Sequence, residues 1–188
     1  MFTIRPATIY DSPSLARVHI DTWRTTYGGI VPVEHLAKLN YERSQALWEE
    51  HFRTQPGQQT FVAEVSPGQV IGLASCGPIR EPVGVIDGEL YGLYILKEFQ
   101  GMGIGRSLVL RVVQHLLKEG FHSLVIWCLK ENLSCGFYAR LGGQITAEKI
   151  IEIGGKPLVD VAFTWPELAV LGVSIKSQTS LTNQEFMA

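Results

Sequence analysis

The sequence predicts an α/β fold, a mixed sheet of about seven strands with helices on both faces, and three observations lead there. Residues 89–96 are a compact apolar and aromatic run, followed by a glycine-rich loop and then by Leu108, Val109, Val112, Val113, Leu116 and Leu117 at helical spacing. Residues 123–129 are almost unbroken hydrophobic positions, as expected of an interior strand covered on both faces. Two pairs of β-prone runs, 60–65 with 70–76 and 145–153 with 158–165, are each joined by glycine-containing turns and read as hairpins.

The elements follow in order. Residues 2–5 form a short β-prone run closed by Pro6. Residues 11–25 carry Leu15, Val18, Ile20 and Trp23 at roughly helical spacing, with Asp11 or Ser12 as N-cap and Pro13 in the first turn. Gly28 and Gly29 end this helix, Pro32 opens a short one through Leu39, and a third spans 41–52, where Leu47, Trp48 and Phe52 share a face. Gln55-Pro56-Gly57 is a loop, Ser66-Pro67-Gly68 turns the first hairpin, and 78–84 connects to the central strand, which begins at Val85 or Glu89. The helix after the glycine loop stops at Gly120. Beyond the interior strand, 130–132 is a loop, 133–141 a helix stopped by Gly142 and Gly143, and Gly154-Gly155 turns the last hairpin, which Pro166 closes. The chain thus divides into one domain over 1–166 and a tail over 167–188, polar after Ser174, which leaves disorder, an added strand and a partner contact all open.

The totals exclude several classes. With 46% hydrophobic and 18% charged residues, the chain is globular. Sixteen Lys and Arg against eighteen Asp and Glu give a net charge of −2, so no basic surface points to nucleic acid or anionic lipid. No apolar run reaches the ~18 residues of a membrane span and no export signal is legible, so no membrane partner and a cytoplasmic location are expected. Cys76, Cys128 and Cys135 are an odd number without a Cys-x-x-Cys pair, which suits reduced thiols. The five histidines show no metal-ligand spacing and read as structural or exposed, and no metal is expected.

The stretch Gln100-Gly101-Met102-Gly103-Ile104-Gly105-Arg106 lies between strand and helix, the order that aims free backbone N–H groups and the positive end of a helix dipole at an anion. Glycines spaced by single residues let the main chain approach a ligand closely. A phosphorylated ligand fits best, because three or four charge-assisted hydrogen bonds of roughly 1.5–3 kcal/mol each would hold a pyrophosphate without lysine or metal. Arg106 stands where the dinucleotide fingerprint needs its third glycine, and no mononucleotide-loop string occurs.

The pattern Gln-x-x-Gly-x-Gly after Leu93-Tyr94-Ile95 resembles the coenzyme-A loop of the GCN5-related N-acetyltransferase (GNAT) superfamily, bacterial type. Downstream, Asn132 followed by Phe137-Tyr138-Ala139-Arg140-Leu141-Gly142 is similar to that family's second signature, and the likeness covers about residues 2–165. Gln100 stands where Arg is common, Lys97 where Pro is frequent, and Gly143 replaces a closing aromatic. The resemblance implies a mostly antiparallel GNAT-like sheet and acetyl-CoA as cosubstrate, its pyrophosphate cradled by Gln100, Gly101, Met102, Gly103, Ile104, Gly105 and Arg106. It also implies that the main chain of Leu93 and Ile95 pairs with the pantetheine arm, that Asn132 holds the pantetheine or ribose end, and that Phe137 belongs to the same cofactor site.

Acyl transfer to an amine needs a neutral amine, an oxyanion donor and an acid for the departing thiolate. Deprotonating an amine of pKa about 10.4 at pH 7 costs about 4.6 kcal/mol, so a base or a desolvating site is useful. Main-chain N–H near Leu93 or Tyr94 is the candidate oxyanion donor. Tyr138 is the candidate acid, at a position where the family often uses tyrosine. Glu89, four residues before Leu93, is the candidate base, directly or through water, by similarity to the histone acetyltransferase branch. Trp23, Tyr27 and Tyr91 would line the acceptor pocket, as the first helices do in relatives. A thiol intermediate is disfavoured, since no base partners Cys128 or Cys135. The expected activity is therefore transfer of an acetyl group to a primary amine of a small molecule or peptide by direct attack in a ternary complex. A non-catalytic acyl-CoA-binding sensor is the alternative, and a homodimer stays open.

Overall fold

The structure, a computed structural model, describes residues 1–175. Strand β1 (Thr3–Pro6) leads into helices α1 (Ser12–Thr26), α2 (Val33–Ala37) and α3 (Tyr41–Thr54). Strands β2 (Gln59–Glu64), β3 (Val70–Pro78) and β4 (Gly88–Ile95) follow, then α4 (Ile104–Lys118), β5 (Leu124–Leu129), α5 (Cys135–Arg140), β6 (Gln144–Ile153) and β7 (Lys156–Trp165). The seven strands make one sheet in the order β1-β2-β3-β4-β5-β7-β6, in which β4–β5 is the parallel pair. Helices α1 and α3 cover one face and α4 the other.

Apolar periodicity accounts for this layering. Leu108, Val109, Val112, Val113 and Leu116 of α4 are all buried, as are Leu15, Val18 and Ile20 of α1. Each fully buried Val or Leu side chain contributes about 1.5–3 kcal/mol. Val31, Leu36, Leu129 and Leu158 form a second apolar cluster under α2 and the last hairpin. Asp11, one of the two expected caps, takes the N-cap position of α1, but its carboxylate goes to Arg5 and to the Thr8 N–H and not to the helix. Helix α5 begins later than its apolar pattern suggested, because Asn132 Oδ1 accepts the Ser134 N–H and holds a turn there.

Residues 168–175 are helical, and Leu168, Leu171 and Ile175 are buried in the main core. The polar remainder of the tail, for which the sequence left disorder, an added strand and a partner contact open, lies outside the described residues. Among the described residues no helix is long and apolar enough to cross a membrane.

The feature that positions the site is the divergence of β4 from β5. The two strands pair only at Gly88–Leu124 and Glu89–Val125. On its other side β4 carries a bulge at Tyr91, where Gly92 faces Ser75 and Leu90 faces Cys76. A bulge bends the strand that bears it, here opening a gap between β4 and β5. The vertex of the gap is pinned by Asp87, whose carboxylate accepts from Ser123 Oγ (2.7 Å) and from the N–H groups of Ser123 and His122. Burial acts to raise the Asp87 pKa, but these hydrogen bonds prevail and bring it down to about 2. A depressed carboxylate stabilises the fold above its unfolded pKa and loses that contribution as pH falls. Because Asp87 is partly exposed and screened by solvent, Asp87→Ala is expected to lower stability by about 1 kcal/mol at pH 7. The difference from wild type should shrink between pH 4 and pH 2, which parallel thermal melts across that range will check.

Candidate active site

The gap between β4 and β5 is a cleft of about 950 Å³. One wall is β4. The Leu96 N–H donates to Ile71 on β3, so by alternation the main-chain groups of Leu93 and Ile95 turn to the opposite edge, toward the gap. The facing wall is Ile126, Trp127 and Cys128 of β5. An extended ligand entering here meets two strand edges that do not pair with each other, one of them with its Ile95 carbonyl taken by Gln100.

The glycine loop closes one end. Gly101 and Gly103 have φ of +78° and +79°, a left-handed conformation that a side chain would strain, and Gly103 is the N-cap of α4. Among the described residues, none of the six N–H groups from Gly101 to Arg106 donates a hydrogen bond to the chain. At Gly105 an added Cβ would press on Ile95 (3.2 Å) and Phe137 (3.4 Å), so this glycine lets the loop seat against the strand. Arg106 faces the cleft with its Nε buried and unpartnered, and Arg140 stands at the same mouth. A row of free amides, an orphaned guanidinium nitrogen and a second arginine together suit a diphosphate. Gln100 lines this end as expected, but its amide donates to the Ile95 carbonyl (3.0 Å), so it also braces the loop on the strand. Met102 is exposed at the rim and Ile104 is buried beneath the loop.

Asn132, Phe137 and Tyr138 come to the cleft from the loop after β5 and from α5. Besides holding the Ser134 turn, Asn132 donates from Nδ2 to the Tyr27 hydroxyl (3.3 Å) and so ties α1 to the β5 side. Tyr138 is buried, and among the described residues its hydroxyl has no hydrogen-bond partner. Burial pushes its pKa well above the usual phenol value. Cys128 and Cys135 lie with their sulfurs 3.6 Å apart, and burial raises both thiols, which disfavours a thiolate nucleophile.

Two expected site residues stand elsewhere. Glu89 does not line the cleft: it is 2% exposed, and its carboxylate accepts from the N–H, Nε and Nη2 of Arg80. Three Arg80 donors hold this carboxylate, and it is not on the cleft wall where the expected base would meet the acceptor. Trp23 likewise does not reach the cleft but packs against Tyr27, His35 and His19, and is a wall behind Tyr27. Tyr27, Tyr91 and Tyr94 do line the cleft. Burial raises Tyr91 to about 12, and its hydroxyl donates to the Pro78 carbonyl (2.7 Å).

The sequence reasoning missed a second cavity of about 210 Å³ on the α1–α3 side of β4, lined by His19, His51 and Arg80 among others, with Tyr91, Gly92 and Tyr94 shared between it and the cleft. Arg80 lies in an irregular connection, and the histidines come from separate helices, so no spacing announces them. Burial lowers His19 to about 4 and lowers His51 as well.

An open sheet split between its parallel strands, with a free-amide loop at the mouth of the split, suits an extended, phosphate-bearing ligand. The profile of the acetyltransferase (GNAT) family matches residues 19–143, and the chain belongs to that family of acyltransferases. It is 40% identical over 171 residues to the uncharacterized N-acetyltransferase YuaI of Bacillus subtilis, covering 91% of this chain and 96% of that one. It is 24% identical over 147 residues to the L-methionine sulfoximine/L-methionine sulfone acetyltransferase of Pseudomonas aeruginosa, covering 78% and 82%. Among solved structures, yncA of Salmonella typhimurium with its cofactor acetyl-CoA shares the fold at a TM-score of 0.67 and 23% identity, covering 89% of this chain and 94% of that one.

Proposed function

We propose that this protein transfers the acetyl group of acetyl-CoA to a primary amine by direct attack within the cleft, with both substrates bound together. The observation that carries this reading is the row of free N–H groups from Gly101 to Arg106 at the mouth of an unpaired strand edge. Bound there, acetyl-CoA supplies the activated thioester. The chain's own residues do the rest. The loop amides with Arg106 hold the diphosphate, Leu93 and Ile95 align the arm, and Asn132 and Phe137 border it. The N–H of Leu93 is the oxyanion donor, since it faces the gap while its neighbour's is spent on β3.

Tyr138 is the acid. Its raised pKa keeps the hydroxyl protonated at working pH, and the same burial disfavours a free thiolate beside it, so the proton transfer stays close to balanced. Among the described residues no carboxylate lines the cleft, so the amine is neutralised by desolvation rather than by a base on its wall. Glu89 acts through Arg80. Glu89→Gln is accordingly expected to lower stability by about 1–2 kcal/mol while leaving the shape of the kcat/KM pH profile unchanged; loss of the acidic limb of that profile would restore it as a base.

The acceptor is a small molecule or peptide amine, and the Pseudomonas relative's name favours a small one. Calorimetric titration with acetyl-CoA, followed by thiol release over an amine panel, tests the reading. Binding with release supports it, binding without any release makes the protein an acyl-CoA sensor, and no binding overturns both. A cytoplasmic site of action and a homodimer remain our proposals, to be checked by fractionation and light scattering.

A further inference from the structure

We propose that the small cavity behind β4 is the acceptor seat, and that it selects amines carrying a carboxylate, which the free edge of Arg80 binds. This rests on the reading of the cleft given above. The two cavities share Tyr91, Gly92 and Tyr94 as lining, and the missing Cβ of Gly92 leaves room for the Tyr94 ring, which stands between them. The cavity therefore seats the carboxylate end, and the amine reaches past this shared lining into the cleft, where the thioester arm is proposed to run.

The cavity's free donors choose the acceptor. Among the described residues lining it, Arg80 is the one carrying a full charge near neutral pH, because burial keeps His19 and His51 uncharged. Glu89 binds Nε and Nη2 of Arg80 and raises its pKa, while Nη1 has no acceptor among the described residues. The Tyr91 ring lies against the guanidinium, 4.5 Å from ring centre to the central carbon. The fork is therefore held from two sides with one pair of N–H donors left over, which suits a carboxylate. Because Glu89 balances the charge, selection comes from directed donors more than from net field. A diamine or polyamine would bring further donors and no acceptor for those N–H groups. About 210 Å³ is small for a binding cavity, which fits an acceptor of amino-acid size.

The test is steady-state acetyl transfer, read by thiol release, from acetyl-CoA to L-α-amino acids (oxidised methionine derivatives included), their amides, their decarboxylated amines and aliphatic diamines. At least one amino acid should exceed its own amide and amine about 10-fold or more in kcat/KM. Arg80→Gln should bring that ratio close to 1 with acetyl-CoA affinity unchanged. Because Arg80→Gln leaves Glu89 buried without its partner, the double variant Arg80→Gln with Glu89→Gln, which keeps a neutral pair, should lose the preference equally, whereas Glu89→Gln alone should keep it. Equal use of acids and amides by the wild type, or a preference that survives in both Arg80 variants, overturns the proposal. If acetyl-CoA binds and no carboxylate-bearing amine releases thiol, the acceptor assignment fails and the cleft assignment stands. If acetyl-CoA does not bind, both fail.

Discussion

Gly103→Glu should weaken acetyl-CoA binding by about 1,000-fold or more while the protein stays folded. Gly103 is the left-handed N-cap of α4, and a Cβ built on it has nothing within 4 Å, so a side chain there meets no steric obstacle. The left-handed backbone costs a non-glycine residue about 1–2 kcal/mol. A carboxylate at a helix N-terminus returns about 0.3–1 kcal/mol of that, so the melting temperature should fall only slightly. The same carboxylate sits where the diphosphate is to be received and competes for the same free amides. Losing two of these charge-assisted bonds, at roughly 1.5–3 kcal/mol each, already accounts for most of a 1,000-fold change. Gly103→Ala separates the contributions: it carries the backbone strain, which lowers the melting temperature of the free and bound protein alike, without the charge, so binding should change by no more than about 3-fold. Undiminished binding by Gly103→Glu in calorimetry would refute the cradle.

What could be read ahead of the structure was local. The loop and α4 were legible because left-handed glycines and an apolar helical stripe are written into a few consecutive residues. The interior strand β5 and both hairpins were legible for the same reason. The opening of the sheet was not. It depends on Asp87 reaching Ser123 across 36 positions and on a bulge at Tyr91 that no residue type announces. The surroundings of Glu89 were not legible either, because its partner Arg80 lies in an irregular loop that no strand position announces. His19 and His51 meet at one cavity only because α1 and α3 pack side by side, which periodicity within either helix cannot show. Trp23 illustrates the converse: an aromatic on the helix expected to cover the cleft serves packing, and its neighbour Tyr27 takes the place on the wall.

Tyr138→Phe should lower kcat by about 100-fold and change the dissociation constant of acetyl-CoA by no more than about 2-fold. The split between the two constants is the informative part. Phenylalanine keeps the ring, and with it the contacts to Phe137 and Phe163 that seat α5 on the sheet. Because the hydroxyl has no partner among the described residues, removing it breaks no hydrogen bond of the fold, so the melting temperature should not fall. A tyrosine with a purely structural role would therefore show no change in either quantity, whereas an acid shows its loss in turnover alone. The pH dependence gives a second reading of the same group. The active form is the protonated one, and burial raises the pKa, so the wild-type kcat should hold its plateau through pH 10 and not decline there as an exposed phenol would require. Cys128→Ser in parallel keeps the argument confined to one residue. If a thiol on the cleft wall carried the acetyl group, this variant would lose turnover as Tyr138→Phe does; direct attack leaves it near wild type. Unchanged turnover in Tyr138→Phe would remove the hydroxyl from the reaction and leave proton transfer to water entering the cleft.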